Sequence, residues 1–339
     1  MSRKSGGGAS VGVRRILGDD AISPGRGMIR YVTGRLMLLD TASLYFRAFF
    51  GVPDSVRSPD GVPVNAVRGL LDMIAKLVVD FEPDQLIACW DDSWRPQWRV
   101  DLIPGYKLHR VAEVVPGGVD IEETPENLVL QIPMIRRVLD AFGIVVLGAA
   151  DHEADDVIGS LASEAAGPVD IVTGDRDLFQ LVDDPSHVHV IYTARGMSKL
   201  EVITGSVVEA KYGVSPEQYV DFAVMRGDAS DGLPGVPGVG EKTAAGLLQE
   251  YDDLAEIIAV ANDDDAPLSA SVRAKILASA DYLAVAPKVV EVVRDLEFGV
   301  FDARIRPLSD EARATVRQLG SEWGLGGSVE RALKALGNE

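Results

Sequence analysis

The chain has 339 residues, of which 47% are hydrophobic and 25% charged, a balance typical of a globular protein large enough for one or two domains. Its longest apolar stretches, such as 143–150, are too short for a transmembrane helix, and its single cysteine, Cys89, excludes a disulfide scaffold and indicates a reducing cytoplasm. The net charge of −19 argues against a nucleic-acid-binding protein when taken alone, because phosphate contacts need Lys and Arg.

The charge is unevenly distributed along the chain. Residues 1–36 contain seven Arg or Lys and two Asp, so this segment carries about +5 and the remainder about −24. The segment opens with three glycines at 6–8 and shows no sustained periodicity, which predicts a disordered tail. Three interpretations stay open: a basic arm for nucleic acid, a tail without function, or residues upstream of a true start at Met28 or Met37.

From residue 36 onward, short apolar runs alternate with amphipathic helical patterns. The runs are 36–39, 85–90, 143–147 and 169–173, and the clearest helical pattern is 64–81. This alternation predicts an α/β fold with a mainly parallel sheet over 37–205. Only helical patterns follow from 206 to about 300, which predicts a second, helical domain, and 301–339 is expected to be a C-terminal helical extension.

Acidic residues follow each of the four apolar runs: Asp40; Asp91 and Asp92; Glu153, Asp155 and Asp156; Asp175 and Asp177. Because the carboxyl ends of parallel strands meet at one edge of a sheet, these side chains are expected to converge there. Asp228 and Asp231, three residues apart, could join them. Any single one could be a solvated surface acid, but the recurrence favours a site for two hard cations, Mg²⁺ or Mn²⁺, of the kind that cleaves phosphodiesters.

A glycine-rich segment at 233–248 provides the second signal. Gly235, Gly238 and Gly240 permit a tight turn between two helices, and a helix begins immediately after them. The free N–H groups at the start of that helix suit a phosphate, and Lys242 adds positive charge. The alternative is a plain helix–helix turn; the three glycines favour a contact with a DNA backbone that reads no sequence.

A third segment, 91–113, interleaves basic and aromatic residues. Arg95 and Arg99 lie one helical turn apart, Lys107 and Arg110 follow them, and Trp94, Trp98 and Tyr106 lie between. Aromatic rings stack on bases while Arg and Lys contact phosphates, so the segment suggests a nucleic-acid contact near the metal site. A solvated helical lid with buried tryptophans is the equal alternative for this segment alone.

Taken together, these motifs resemble the 5′–3′ exonuclease family, which also forms the N-terminal domain of bacterial DNA polymerase I and is related to the flap endonucleases. The resemblance extends from about residue 37 to 300. The residues that carry it are Leu38-Leu39-Asp40, Tyr45-Phe46-Arg47-Ala48, Trp90-Asp91, Tyr106-Lys107-x-His109-Arg110, Glu153-Ala154-Asp155-Asp156-Val157-Ile158, Thr173-Gly174-Asp175-Arg176-Asp177-Leu178, Gly227-Asp228-x-Ser230-Asp231 and the segment from Gly235 to Thr243.

The resemblance implies a PIN-like nuclease domain with a helical arch at about 92–115, a helix-three-turn-helix DNA-binding domain at 206–300, and a structure-specific 5′–3′ exonuclease or flap endonuclease that hydrolyses DNA in replication and repair. It implies two Mg²⁺ or Mn²⁺ ions, and K⁺ at the glycine hairpin. Lys107 and Arg110 would hold the scissile phosphate. The implied metal ligands are Asp40, Asp91, Glu153, Asp155, Asp156, Asp175, Asp177, Asp228 and Asp231. The implied DNA contacts are Arg47, Arg95, Arg99, Tyr106, Gly235, Gly238, Gly240, Lys242 and Thr243.

The sequence departs from the family pattern at two places. Gly232 stands where the family usually has Asn, and Asp91-Asp92-Ser93 stands where it often has Asp-Ala-Lys. We expect a stand-alone, cytoplasmic, nucleoid-associated nuclease that acts on DNA with 5′ ends or flaps, without a membrane, and with a polymerase or ligase as candidate protein partners. An RNA-directed PIN-type nuclease and a DNA-binding protein without catalysis are the alternatives.

Overall fold

The computed structural model describes residues 34–115 and 117–338. The predicted disordered tail therefore lies outside the described residues except at its end, where the first strand already begins at Leu36. None of the helices in these two ranges is long and apolar enough to cross a membrane.

A six-stranded sheet forms the centre of the first half of the chain. Its strand order is β5-β2-β1-β6-β7-β8, all neighbours are parallel except β7 and β8, and β3 and β4 form a separate antiparallel hairpin. This confirms the predicted α/β class. The strands are β1 (Leu36–Asp40), β2 (Gln85–Cys89), β3 (Val111–Glu113), β4 (Ile121–Glu122), β5 (Val145–Leu147), β6 (Val169–Thr173), β7 (Val188–Tyr192) and β8 (Glu201–Ile203).

Helices cover both faces of this sheet. Successive residues of β1 point to opposite faces, so Leu36 and Leu38 belong to one apolar cluster while Met37 and Leu39 belong to the other. The helices of this part, with two short 3₁₀ turns, are α1 (Thr41–Gly51), α2 (Asn65–Phe81), α3 (Gln97–Leu102), the turn Leu108–Arg110, α4 (Glu126–Val129), α5 (Ile132–Ala141), α6 (Ala154–Glu164) and the turn Asp177–Leu181.

Only helices follow from residue 205 to 290, as the sequence predicts. They are α7 (Gly205–Tyr212), α8 (Tyr219–Arg226), α9 (Glu241–Glu250), α10 (Leu254–Asn262), α11 (Ala270–Ala278), α12 (Ala280–Leu283) and α13 (Ala286–Val290). Helix α8 packs on both α9 and α13, and it also contacts the turn Asp177–Leu181 of the first part. The loop that follows α8 carries Asp228 and Asp231, and this packing brings it close to the carboxyl ends of the strands.

The last segment returns to the first domain. The carbonyl of Ala303 accepts a hydrogen bond from the backbone of Leu86 at 2.9 Å, and the Ile305 N–H donates to Asp84 at 2.9 Å. Two helices, α14 (Asp310–Glu322) and α15 (Gly327–Ala335), then follow, and α15 packs along α2. The predicted helical extension thus completes the core on one face of the sheet.

The segment 92–115 differs from the predicted helical arch. It contains only the six-residue α3, the 3₁₀ turn and β3, which pairs with β4. Pro96 precedes α3, and Pro104-Gly105 follows it closely. Proline cannot donate the backbone hydrogen bond that a longer helix would need, so a short helix and a hairpin replace a continuous arch.

Candidate active site

Five of the predicted acidic residues line one pocket of about 320 Å³ at the carboxyl end of the central strands. They are Asp40, Asp91, Glu153, Asp155 and Asp175, and Lys107 and Arg110 line the same pocket. The parallel sheet explains this convergence, since strands that enter the sheet far apart in sequence end at a common edge.

Asp40 is the last residue of β1 and caps the helix that follows. Its carboxylate accepts hydrogen bonds from the Ser43 N–H at 3.1 Å and from the Thr173 hydroxyl at 2.6 Å. Burial raises the pKa of Asp40 to about 7, and the carboxylate of Asp91 adds to the rise while the two hydrogen bonds oppose it. A cation at this position would therefore bind a carboxylate that two hydrogen bonds already hold in place.

The beginning of α6 supplies two further acids. Glu153 is the N-cap of this helix in a capping box, and the Asp91 carboxylate accepts from the Ala154 N–H at 2.8 Å. Burial raises the pKa of Asp155 well above its ordinary value, and the nearby carboxylates of Asp40 and Asp175 raise it further. The start of α6 therefore holds Asp91, which follows β2, next to Glu153 and Asp155.

The remaining predicted acids adjoin Asp175. The Asp177 N–H donates to the Asp175 carboxylate at 2.9 Å. Burial raises the pKa of Asp177 well above its ordinary value, and Asp175, Asp231 and Asp228 add to this effect, so all four carboxylates lie within electrostatic reach of one another. Oδ1 of Asp177 is buried and has no hydrogen-bond partner among the residues that the structure describes.

Both predicted catalytic cations are paired with carboxylates. The Lys107 ammonium lies 2.6 Å from Oε2 of Glu153, and Arg110 donates from Nε to Oε1 of Glu122 at 3.0 Å. Burial by itself would lower the pKa of Lys107, but Asp231 and Glu153 raise it well above its ordinary value. Both side chains are therefore present as cations in the pocket wall.

Four of the predicted DNA or metal contacts are buried residues whose polar atoms bond other residues of the chain. The buried Arg95 forms an ion pair with Asp120 and donates to the Tyr106 carbonyl at 2.6 Å. Arg99 and Asp156 are both buried and bind each other. Tyr106 is also buried and donates its hydroxyl to Glu153 at 2.9 Å. These bonds support the walls of the site, and DNA or metal contacts by the four residues stay predictions.

Arg47 lies beside the pocket rather than in it. Together with Phe46, Phe50 and Arg110 it lines a neighbouring groove, and Nη1 is 3.5 Å from the Ala194 carbonyl. Its Nε is buried, and no atom within 34–115 or 117–338 forms a hydrogen bond with it. A DNA contact by Arg47 stays a prediction.

Gly232, which departs from the family pattern, packs directly against the turn that carries Lys107. Its φ is +71°, and a Cβ at this position would overlap the carbonyl oxygen of Gly105. The Lys107 N–H also donates to the Asp231 carbonyl at 2.9 Å. The glycine therefore permits a close approach between the acidic loop and the Lys107 turn.

The glycine hairpin precedes α9 as the sequence predicts. Gly235 and Gly238 have φ values of +68° and +76°, and a Cβ on Gly235 would lie 2.6 Å from the Gly227 nitrogen. Gly240 is the N-cap of α9 and has open space around it, with Lys242 exposed and Thr243 half-buried on the first turn. Lys275 donates to the Gly238 carbonyl at 2.8 Å. The open helix start remains accessible to an anion.

Two residues near the site were missed by sequence reasoning. Glu122 lines the pocket, and Arg226 contacts Asp228 at 3.1 Å. Glu122 lies in a two-residue strand that no periodicity reveals. Arg226 directly precedes the Gly-Asp motif, so its position one residue before a predicted ligand loop was the available signal.

In the described ranges, no group of three or more Asp, Glu, His or Cys side chains is already arranged to hold a metal ion. The hydrogen bonds explain this arrangement, because several of the acids are turned to other partners: Glu153 to Lys107, Asp91 to the start of α6, and Asp228 to Arg226. The described carboxylates therefore line one region, but no three of them are arranged around a single point where a metal ion could bind.

Comparison with known proteins identifies the family. A family description, "5′-3′ exonuclease, N-terminal resolvase-like domain", matches residues 35–213, and "5′-3′ exonuclease, C-terminal SAM fold" matches 214–311. The chain belongs to the 5′-3′ exonuclease family. A 5′-3′ exonuclease from Streptomyces coelicolor is 55% identical over 300 residues, covering 88% of this chain and 99% of the relative.

Solved structures share the family fold at low sequence identity. The T5 5′-exonuclease with bound zinc ions has a TM-score of 0.57 at 17% identity and covers 89% of this chain and 99% of its own. The catalytic core of Rad2 in complex with a DNA substrate has a TM-score of 0.53 at 16% identity and covers 92% and 95%. The sheet with its helical second domain is thus the fold of known nucleases.

Proposed function

We propose that this 5′-3′ exonuclease family member hydrolyses DNA phosphodiester bonds at 5′ ends and 5′ flaps with two divalent cations. The observation that carries the proposal is the pocket in which acids from four strand ends face Lys107 and Arg110. Negative groups would hold metal ions and positive groups would hold the phosphate, which are the two requirements of metal-assisted phosphodiester hydrolysis.

The donor set fits hard cations such as Mg²⁺ or Mn²⁺, because every candidate ligand is a carboxylate. Burial and mutual repulsion raise the pKa of Asp40, Asp155 and Asp177, and the buried Oδ1 of Asp177 has no hydrogen-bond partner in the described part of the chain. A bound cation would remove both penalties. The first ion would be held by Asp40, Asp91, Glu153 and Asp155, the second by Asp177, Asp228 and Asp231, with Asp175 between them.

Such ions, when bound, activate a water molecule and stabilise the leaving oxygen. The chain's own residues position the substrate. Lys107 is held on its turn by the backbone bond to Asp231, so its ammonium and the Arg110 guanidinium would contact the scissile phosphate from the same wall. Tyr106 would keep Glu153 oriented through its hydroxyl when Lys107 exchanges Glu153 for the phosphate.

The glycine hairpin would bind the duplex next to the cleavage site. The open N-terminus of α9, with Gly240 as N-cap and Lys242 exposed, suits a backbone phosphate.

K⁺ at this hairpin has weaker support, since Lys275 already bonds the Gly238 carbonyl. Exchange of KCl for NaCl at equal ionic strength in a duplex-binding assay would test it. A nucleoid location and a polymerase or ligase partner stay predictions.

The proposal is tested with three labelled substrates of one sequence: a DNA 5′ flap, a blunt DNA duplex and an RNA 5′ flap. With Mg²⁺ we expect cleavage of the DNA flap near the junction and weaker cleavage of the blunt end. Faster cleavage of the RNA flap would favour an RNA-directed nuclease. Binding of all DNA substrates without cleavage in Mg²⁺ or Mn²⁺ would show that the chain binds DNA without catalysis.

A further inference from the structure

Glu122 is the counter-ion of Arg110 inside the candidate active site. Two guanidinium nitrogens of Arg110 bond the same Oε1 of Glu122, one of them Nε at 3.0 Å. The side chains are 37% and 17% exposed, respectively, so the pair lies at the pocket mouth where an incoming group can reach it. The guanidinium also lies 5.3 Å above the centroid of the Trp94 ring.

The position of Glu122 is set by its hairpin. Residue 122 pairs with Val111, directly after Arg110, and the Glu123 N–H donates to the Arg110 carbonyl at 2.8 Å. The hairpin is fastened at Asp120, whose carbonyl accepts from Trp94 Nε1 at 2.7 Å and whose carboxylate pairs with the buried Arg95. The contact between the Glu122 carboxylate and Arg110 can therefore open by rotation of the side chains, without movement of the hairpin backbone.

This placement has a consequence for any phosphate that enters the pocket. Glu122 occupies the Nε and Nη2 groups of Arg110, so a phosphate that binds this edge of the guanidinium must displace the carboxylate, which stays in the wall of the same pocket. We propose that Glu122 is a selectivity residue that competes with the substrate phosphate for Arg110. DNA that also makes the other proposed contacts of the site binds tightly enough to displace Glu122 from Arg110. A strand that makes only some of these contacts does not displace it. The inference rests on the proposed function, because it takes a DNA phosphate as the ligand of Arg110.

The salt dependence of binding distinguishes this role from general charge repulsion. A free Arg that neutralises a phosphate releases counterions, and each such contact steepens the slope of log K against log salt by about 0.7–0.9. In the wild type, the charge of Arg110 is already balanced by Glu122, so the exchange of carboxylate for phosphate contributes little to the slope. In Glu122→Gln the same contact would contribute fully.

The experiment measures flap-DNA binding in EDTA, which prevents cleavage, at several NaCl concentrations. For Glu122→Gln we expect about two- to fivefold tighter binding at 0.1 M salt, the range of a partly exposed ion pair, and a slope steeper by about 0.7–0.9. The matched control is Glu113→Gln. It removes the same charge from an exposed residue of the same hairpin, and the wild-type slope should be retained.

Arg110→Gln provides a second, independent variant. In this variant no guanidinium remains for Glu122 to compete for, so adding Glu122→Gln to Arg110→Gln should not steepen the slope, because no cation is released for a phosphate. Equal slopes for wild type and Glu122→Gln, or the same steepening by Glu122→Gln in the Arg110→Gln background, would overturn the inference. A wild-type protein that binds no DNA would instead overturn the proposed function, which the wild-type arm detects by itself.

Discussion

Arg99 and Asp156 form a bidentate ion pair beneath the candidate active site, with distances of 2.8 Å from Nη1 to Oδ2 and 2.7 Å from Nη2 to Oδ1. Arg99 also donates from Nε to the Val289 carbonyl at 3.0 Å, and Asp156 accepts from the Val293 N–H at 2.9 Å. The pair thereby joins α3, the start of α6 and the end of the helical domain. It fixes the helix that carries Glu153 and Asp155.

Replacement of Asp156 by Asn is expected to destabilise the fold. The change leaves the buried guanidinium of Arg99 without its main counter-charge, and loss of one partner of a buried pair costs about 3–5 kcal/mol. Urea unfolding measures this free energy. The control is Arg331→Gln, which breaks an exposed ion pair with Asp72 and should cost less than about 1 kcal/mol. Equal losses in the two variants would mean that Asp156 carries no special structural role.

Lys107→Ala is expected to reduce the cleavage rate more than it weakens DNA binding. A cation at the scissile phosphate stabilises charge that develops in the transition state, and comparable preorganised donors contribute about 10²–10³ to the rate. Glu153 keeps its bond from Tyr106 and lies 3.6 Å from Arg99, so the fold should survive. Single-turnover rates at saturating enzyme, compared with dissociation constants in EDTA, separate the two effects. A loss confined to binding would make Lys107 an ordinary phosphate contact.

Gly240→Val is expected to weaken binding to duplex-containing DNA for every sequence, with little change for a single strand. Gly240 has φ −101° and open space around its Cα, so a side chain fits the fold but occupies the phosphate approach at the start of α9. Gly246→Ala is the matched control, since it adds a side chain in open space on the same helix. Affinities are compared at one fixed salt concentration. Equal losses on both DNA forms would contradict a duplex clamp.

The fold and the convergence of acids could be predicted because both follow from local patterns. The runs that became β1 and β6 are mostly apolar, an acid stands at or just beyond the end of each (Asp40 and Asp175), and the ends of parallel strands share an edge. The partners of Arg99 and Arg95 could not be predicted in this way, since Asp156 lies 57 residues away and Asp120 lies 25 residues away. A basic residue looks the same in sequence whether it faces DNA or pairs with a buried acid.

Very short elements are also hard to predict from sequence, as the predicted helical arch and the β3–β4 hairpin show. Strands of two or three residues, such as β3 and β4, show no alternation that could be recognised, so Glu122 had no signal as a member of the site. Strand β8 is equally short, and its antiparallel pairing with β7 is set by contacts rather than by composition. Short elements obtain their structure from their surroundings.

Asp175 lines the pocket and is the acid that we propose to lie between the two metal ions, so its removal tests most directly whether these acids support metal-dependent hydrolysis of DNA. The most direct test is single-turnover cleavage of a 5′-labelled flap by wild type and Asp175→Ala across a Mg²⁺ titration, with EDTA as the zero point. We expect cleavage that requires Mg²⁺ and falls by at least about 10³ in the variant, while flap binding in EDTA is unchanged or tighter because one negative charge is removed. Cleavage by the wild type in EDTA, or a variant that cleaves at the wild-type rate, would contradict the account.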